Sequence, residues 1–325
     1  MSGRLLLIVA VLLAPAAGFG QKAKTWTPPR TVDGQPDLQG VWSDATATPL
    51  ERPSELAGKP VLTEQEAAEF ERQTLQNASG DRRDGGAQAD VGRAYNEFWR
   101  ERGKVVPGRR TSLIVDPADG KIPLLTQEAQ KKQSALAAAR RARGPADGPE
   151  DRSLAERCLI WASAGPPMLP AGYNSNFQIL QAPGYVVLLN EMIHDARVIP
   201  LDGRPHAPSN VRLWMGDSRG RWEGNTLVVD TTNFSEKTNF RGAGPNMHLV
   251  ERFTRVDPET LVYEFTVDDP TTFTRPWTVS IPSNRIESPI YEYACHEGNY
   301  GMTGMLAGAR AEEKKAEAAV QKGSR

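Results

Sequence analysis

Hydrophobic and polar positions follow two different patterns that change over near residue 161. Beyond it the period shifts towards two, and short runs over 177–180, 185–193, 197–201, 227–231, 248–256, 261–268, 277–281 and 290–296, the one from Tyr185 apolar on both faces, each predict a β-strand. Links such as Ala182-Pro183-Gly184, Glu223-Gly224-Asn225 and Asp257-Pro258-Glu259 are too short for a crossover, so neighbouring strands are expected to pair antiparallel. About eight such strands imply a mainly β fold, either an antiparallel barrel or a two-sheet sandwich.

The preceding stretch reads differently. Pro28, Pro29, Pro36, Pro49, Pro53 and Pro60 break any long helix or ladder and predict an extended arm. Thr63 followed by Glu66 is a capping-box signature for a helix reaching about Gln76, before Asn77, Ser79, Gly80, Gly85 and Gly86 dissolve the pattern. A short helix is expected over 94–102, an isolated strand over 112–115 and a solvent-facing helix over 126–143, followed by a Gly/Pro linker. The organisation expected is an irregular and helical wrapping segment (21–160), an antiparallel β domain (161–305) and a polar tail (306–325).

The first residues change the picture of where the protein works. Arg4, the apolar run 5–13 and the small residues Ala14, Ala16, Ala17 and Gly18 predict a cleaved secretory signal over 1–20. The apolar run is shorter than the roughly 20 residues of a spanning helix, so a periplasmic or extracellular product without a stable membrane anchor is expected. In an oxidising compartment the two cysteines, Cys158 and Cys295, are expected to pair, the alternatives being free thiols or a reactive Cys295 beside His296. With 39 basic and 40 acidic residues the chain has no global electrostatic reason to seek nucleic acid or an anionic membrane.

Two stretches, Trp214-Met-Gly-Asp-Ser-Arg-Gly-Arg-Trp-Glu-Gly-Asn-Thr-Leu-Val-Val-Asp230 and Tyr291-Glu-Tyr-Ala-Cys-His-Glu-Gly-Asn-Tyr300, resemble those of an uncharacterised family of exported bacterial proteins. The likeness extends from Pro36 to Glu312 and implies export but no activity. Gly40-Val41-Trp42 resembles the G-x-W that opens the first strand of lipocalins, and serves as an architectural analogy only.

Gly216-Asp-Ser218-Arg-Gly220 fits the nucleophile-elbow pattern G-x-S-x-G, but a strand follows where that motif needs a helix, so a hairpin turn is the simpler reading. More chemistry is offered by the strands themselves. The apolar run from Tyr185 ends in Asn190, Glu191, His194 and Asp195, and the later strands carry His248 with Arg252, Glu264 with Asp268, and Glu292 with His296 on one face. Such faces meet water, or in a barrel line a cavity where histidine and carboxylate form an acid/base pair. The candidate catalytic residues are therefore His194, Asp195, His248, His296 and Glu292. The candidate ligand-binding residues are Arg197, Arg252, Tyr263, Tyr291 and Tyr293, with Tyr185, Trp214 and Trp222 as further stacking surface. No H-x-H, H-E-x-x-H or C-x-x-C spacing calls for a metal, and no phosphate-loop or dinucleotide fingerprint calls for a cofactor. The function expected is binding of a small organic molecule. The alternatives are an acid/base enzyme (lyase, isomerase or hydrolase) and an envelope interaction protein without a pocket.

Overall fold

The computed structural model describes residues 26–82, 84–92 and 97–323, so the expected signal segment lies outside the described residues. The fold is mainly β, built on one ten-stranded antiparallel sheet. Its strands are β1 (Gly40–Ser43), β2 (Ile114–Asp116), β3 (Asn176–Ala182), β4 (Tyr185–Asn190), β5 (Ala196–Pro200), β6 (Asp217–Glu223), β7 (Thr226–Thr232), β8 (His248–Arg255), β9 (Thr260–Asp268) and β10 (Trp277–Ile286). The order across the sheet is β5-β4-β3-β1-β10-β9-β8-β7-β6, with β2 on β10. The sheet curls without closing: the edge strands β5 and β6 lie side by side with no hydrogen-bonded ladder between them. Gly220 of β6 makes this approach possible, since a Cβ there would stand 2.5 Å from Leu201 and 2.8 Å from Ile199.

Strict alternation sorts each strand into an inner and an outer face. On β8 Leu249, Glu251, Phe253 and Arg255 are buried, and on β9 Leu261, Tyr263, Phe265 and Val267. A continuous core of Trp42, Phe177, Ile179, Leu188, Leu227, Phe253, Phe265 and Trp277 fills the curl. The arm contributes more than a wrapping: β1 is a central strand between β3 and β10. The arm is also held at Arg255, whose guanidinium lies 5.6 Å from the Trp26 ring and 5.5 Å from the Trp42 ring and donates to the Asp37 and Pro258 carbonyls.

Helices α1 (Glu64–Ala78), α2 (Gly86–Gly92), α3 (Gln127–Arg141) and α4 (Tyr300–Gly323) lie outside the sheet. The capping box at Thr63 and Glu66 forms as the sequence predicts. Of the helix expected over 94–102, the described part is a single 3-10 turn at Glu97–Trp99, and 93–96 lie outside the described residues.

Three strand expectations need correction. The run from Tyr185 stops at Asn190 because Ile193 and His194 take left-handed φ values of 67° and 49°, which reverse the chain. The G-x-S-x-G stretch is not a turn but β6, with Ser218 buried and bonded to Thr231 across the ladder at 2.9 Å. The run 290–296 forms no strand. Both sides of β10 are occupied, by β9 on one and by β1 and β2 on the other, so the following segment leaves the sheet. It is anchored by the Cys158–Cys295 disulfide, and Tyr293 and Cys295 pack on a small cluster of Ala164, Met192 and Ile193.

Candidate ligand site

The polar residues singled out in the sequence fall into three separate places. Arg197 and Tyr263 point inward. From edge strand β5, Arg197 reaches across the curl and donates to both carboxylate oxygens of Glu251 on β8, at 2.5 and 2.9 Å. The Tyr263 hydroxyl donates to Glu251 at 2.8 Å and accepts from the Met168 N–H at 3.0 Å. Burial works against the Arg197 charge and the Glu251 carboxylate more than restores it, so the guanidinium stays protonated. Burial and the same carboxylate push the Tyr263 hydroxyl well above its ordinary range. No substrate reaches a group this enclosed, and the triad reads as a structural cross-tie.

His248 stands on the outer face. Its Nε2–H donates to Asp230 on β7 at 2.7 Å, while His206, from the β5–β6 connection, lies between Asp230 at 2.9 Å and Asp217 at 3.1 Å. The Ala207 N–H and Arg219 also serve Asp217. The hydrogen bond to Asp230 raises the His248 pKa above the ordinary imidazole value, and the two imidazoles hold Asp230 below the usual carboxylate range. Arg252, two repeats of the pleat along the same face, pairs with Glu223 at the surface.

The third group sits beside the disulfide. His194 Nδ1 lies 2.9 Å from the Tyr293 carbonyl, and the neighbouring Glu191 accepts from Asn176 at 2.7 Å. Asp195 is partly exposed, whereas Tyr291, Glu292 and His296 are exposed and turned away from this group's packing. The structure thus does not bring the four histidines together, and among the described residues no three His, Cys, Asp or Glu side chains are grouped to hold a metal ion.

What the structure does assemble is a cavity of about 580 Å³ that the sequence reading missed. Its floor is the segment 161–169, which enters the curl: residues 163–169 are buried, Met168 and Leu169 join the core, and the Asn190 amide donates to the Ala164 carbonyl at 3.1 Å. On the outer side of that plug, Ile160, Trp161, Pro166 and Pro167 face Leu154 and Phe240. Phe240 lies on the connection from β7 to β8 and is fixed by stacking on Trp277, with ring centroids 6.0 Å apart and planes 8° from parallel. Arg140 from the last turn of α3, Arg152 and Arg241 line the same walls, with Glu150 and Asp151. Size, apolar walls and a few converging polar groups are the usual properties of a small-molecule pocket. Nothing periodic marked these residues, because the walls come from loops; only the density of Trp, Pro and Arg over 152–167 and at 240–241 hinted at them. Compared with family models, curated proteins and solved structures, the chain matches none.

Proposed function

We propose that the protein is exported and binds a small, partly aromatic organic molecule in the cavity between the plug 161–169 and the β7–β8 connection. The observation that carries this reading is the cavity itself, whose volume and apolar, ring-bearing walls suit a ligand of one or two rings. Export is supported by the sequence of the first 20 or so residues and by the disulfide. Among the described residues no helix is long and apolar enough to cross a membrane. Ala162 is exposed on the cavity wall, so Ala162→Trp fills the space without touching the core. A ligand-observed NMR screen of aromatic fragments should give hits with the unsubstituted protein that disappear in A162W. Hits that survive A162W, or no hits at all, would refute the reading.

A second reading, an acid/base enzyme, is favoured by the outer array. Asp230 orients His248 through Nε2, and among the described residues no hydrogen bond occupies its Nδ1, which leaves one nitrogen able to exchange a proton with a substrate. Hydrolase, lyase or isomerase turnover found with this protein should vanish in His248→Ala, and persistence of that turnover would remove the enzyme reading.

A further inference from the structure

The charge around the cavity says which molecules it takes. Five ionised side chains line it, three guanidinium groups and two carboxylates, and they are not equally committed. Asp151 is already held by Arg143 outside the cavity in a two-point bridge, 2.7 Å at each oxygen. Arg152 is already committed to Glu156 and to the Pro145 carbonyl. Arg140 and Arg241 have no ion-pair partner among the described residues, and only Glu150 stands against them. The walls therefore carry a surplus of one positive charge beside the apolar surface of Trp161, Pro167 and Phe240.

A guanidinium binds an anionic oxygen more strongly than a neutral one. A cleft with low-dielectric walls concentrates the field of the unpaired charges on whatever enters it. Arg241 follows Phe240 in the cavity lining, and its backbone sits at φ 56°, a left-handed value uncommon away from glycine.

Building on the binding reading above, we propose that the cavity selects amphipathic organic anions, molecules with a ring-sized apolar body and one carboxylate, sulfonate or phosphate-ester head. The body lies against Trp161 and Phe240, and the head meets Arg241 and Arg140.

A matched pair of fluorescent probes separates charge from shape. 1-Anilinonaphthalene-8-sulfonate and N-phenyl-1-naphthylamine share one aromatic body and differ by the sulfonate. Fluorescence titration should give the sulfonate at least about a tenfold tighter Kd, a preference that shrinks as salt screens the arginines. The surface double substitution Arg140→Gln with Arg241→Gln should weaken the sulfonate several-fold and leave the neutral amine unchanged, while Ala162→Trp should abolish both, with the circular dichroism of each variant unaltered. Equal affinity for the two probes, or no effect of the arginine substitutions, overturns the anion selectivity; loss of the neutral probe in A162W would then still support a binding cavity. Sulfonate binding that A162W leaves intact, or no saturable binding of either probe, overturns the selectivity and the binding reading together.

Discussion

Asp230 is the acceptor for two imidazoles at once, and this single carboxylate organises the outer face of β6, β7 and β8. Because Asp230 raises the pKa of His248, the His248 contribution to stability is complete below the unfolded imidazole value of about 6.5 and is lost as pH rises through the higher folded value. The Asp230 shift has the opposite sign: its contribution is present above the unfolded carboxylate value of about 4 and is lost as pH falls through the lowered folded one. The pair is therefore strongest between about pH 4 and 6.5. Histidine NMR should show His248 titrating above 6.5, and Asp230→Asn should bring it back toward that value; a His248 that titrates at 6.5 in both proteins would contradict the geometry. Alternation had placed His248 and Arg252 together, and they do share the outer face. The same alternation puts Glu251 inward with Leu249 and Phe253, a charged residue on an apolar face, and that was the legible sign of the buried partner of Arg197.

An open seam between β5 and β6 is what a curled sheet leaves when its edge strands do not pair. Arg197 bridges it from the inside by tying β5 to β8, while Tyr263 ties β9 to the same carboxylate and to the plug at Met168. Removing one member strands a buried charge, so Glu251→Leu or Arg197→Met alone should cost about 3–5 kcal/mol in urea unfolding. The double substitution should recover a substantial part of that loss, because neither charge then remains buried. Additive losses would mean the two residues act independently. The elements themselves were largely readable: β3 to β5 and β7 to β10 fall on short apolar or alternating runs, several of them joined by short turns. Two failures have physical causes. β6 opens on Asp217 directly after Gly216 and carries Gly220 where a strand usually carries branched side chains, since Gly220 must admit Ile199 and Leu201. The tyrosine alternation at 291–295 is the signature of a strand, but β10 has no free side to receive it, and burial against Met192 and Ile193 with the disulfide takes its place.

At the scale of the whole molecule, both open ends of the curl are covered by chain from outside the strand run. The arm closes one through Leu38, Trp42 and the Arg255 sandwich, and the plug 161–169 closes the other, with Cys158 beside it fastened to the segment that leads into α4. Core side chains fill the curl, and the proposed binding space lies on the far side of the plug, where loops meet α3. That displacement is why the candidate site was invisible in the sequence: a pocket made of Arg152, Trp161, Pro167, Phe240 and Arg241 has no period and no fixed spacing. The most direct test of its role is chemical-shift mapping on isotope-labelled protein titrated with N-phenyl-1-naphthylamine. Saturable shifts concentrated in 152–154, 160–169 and 238–241 are the predicted result, and shifts that cluster around His194 or His248, or scatter with no saturation, would contradict it.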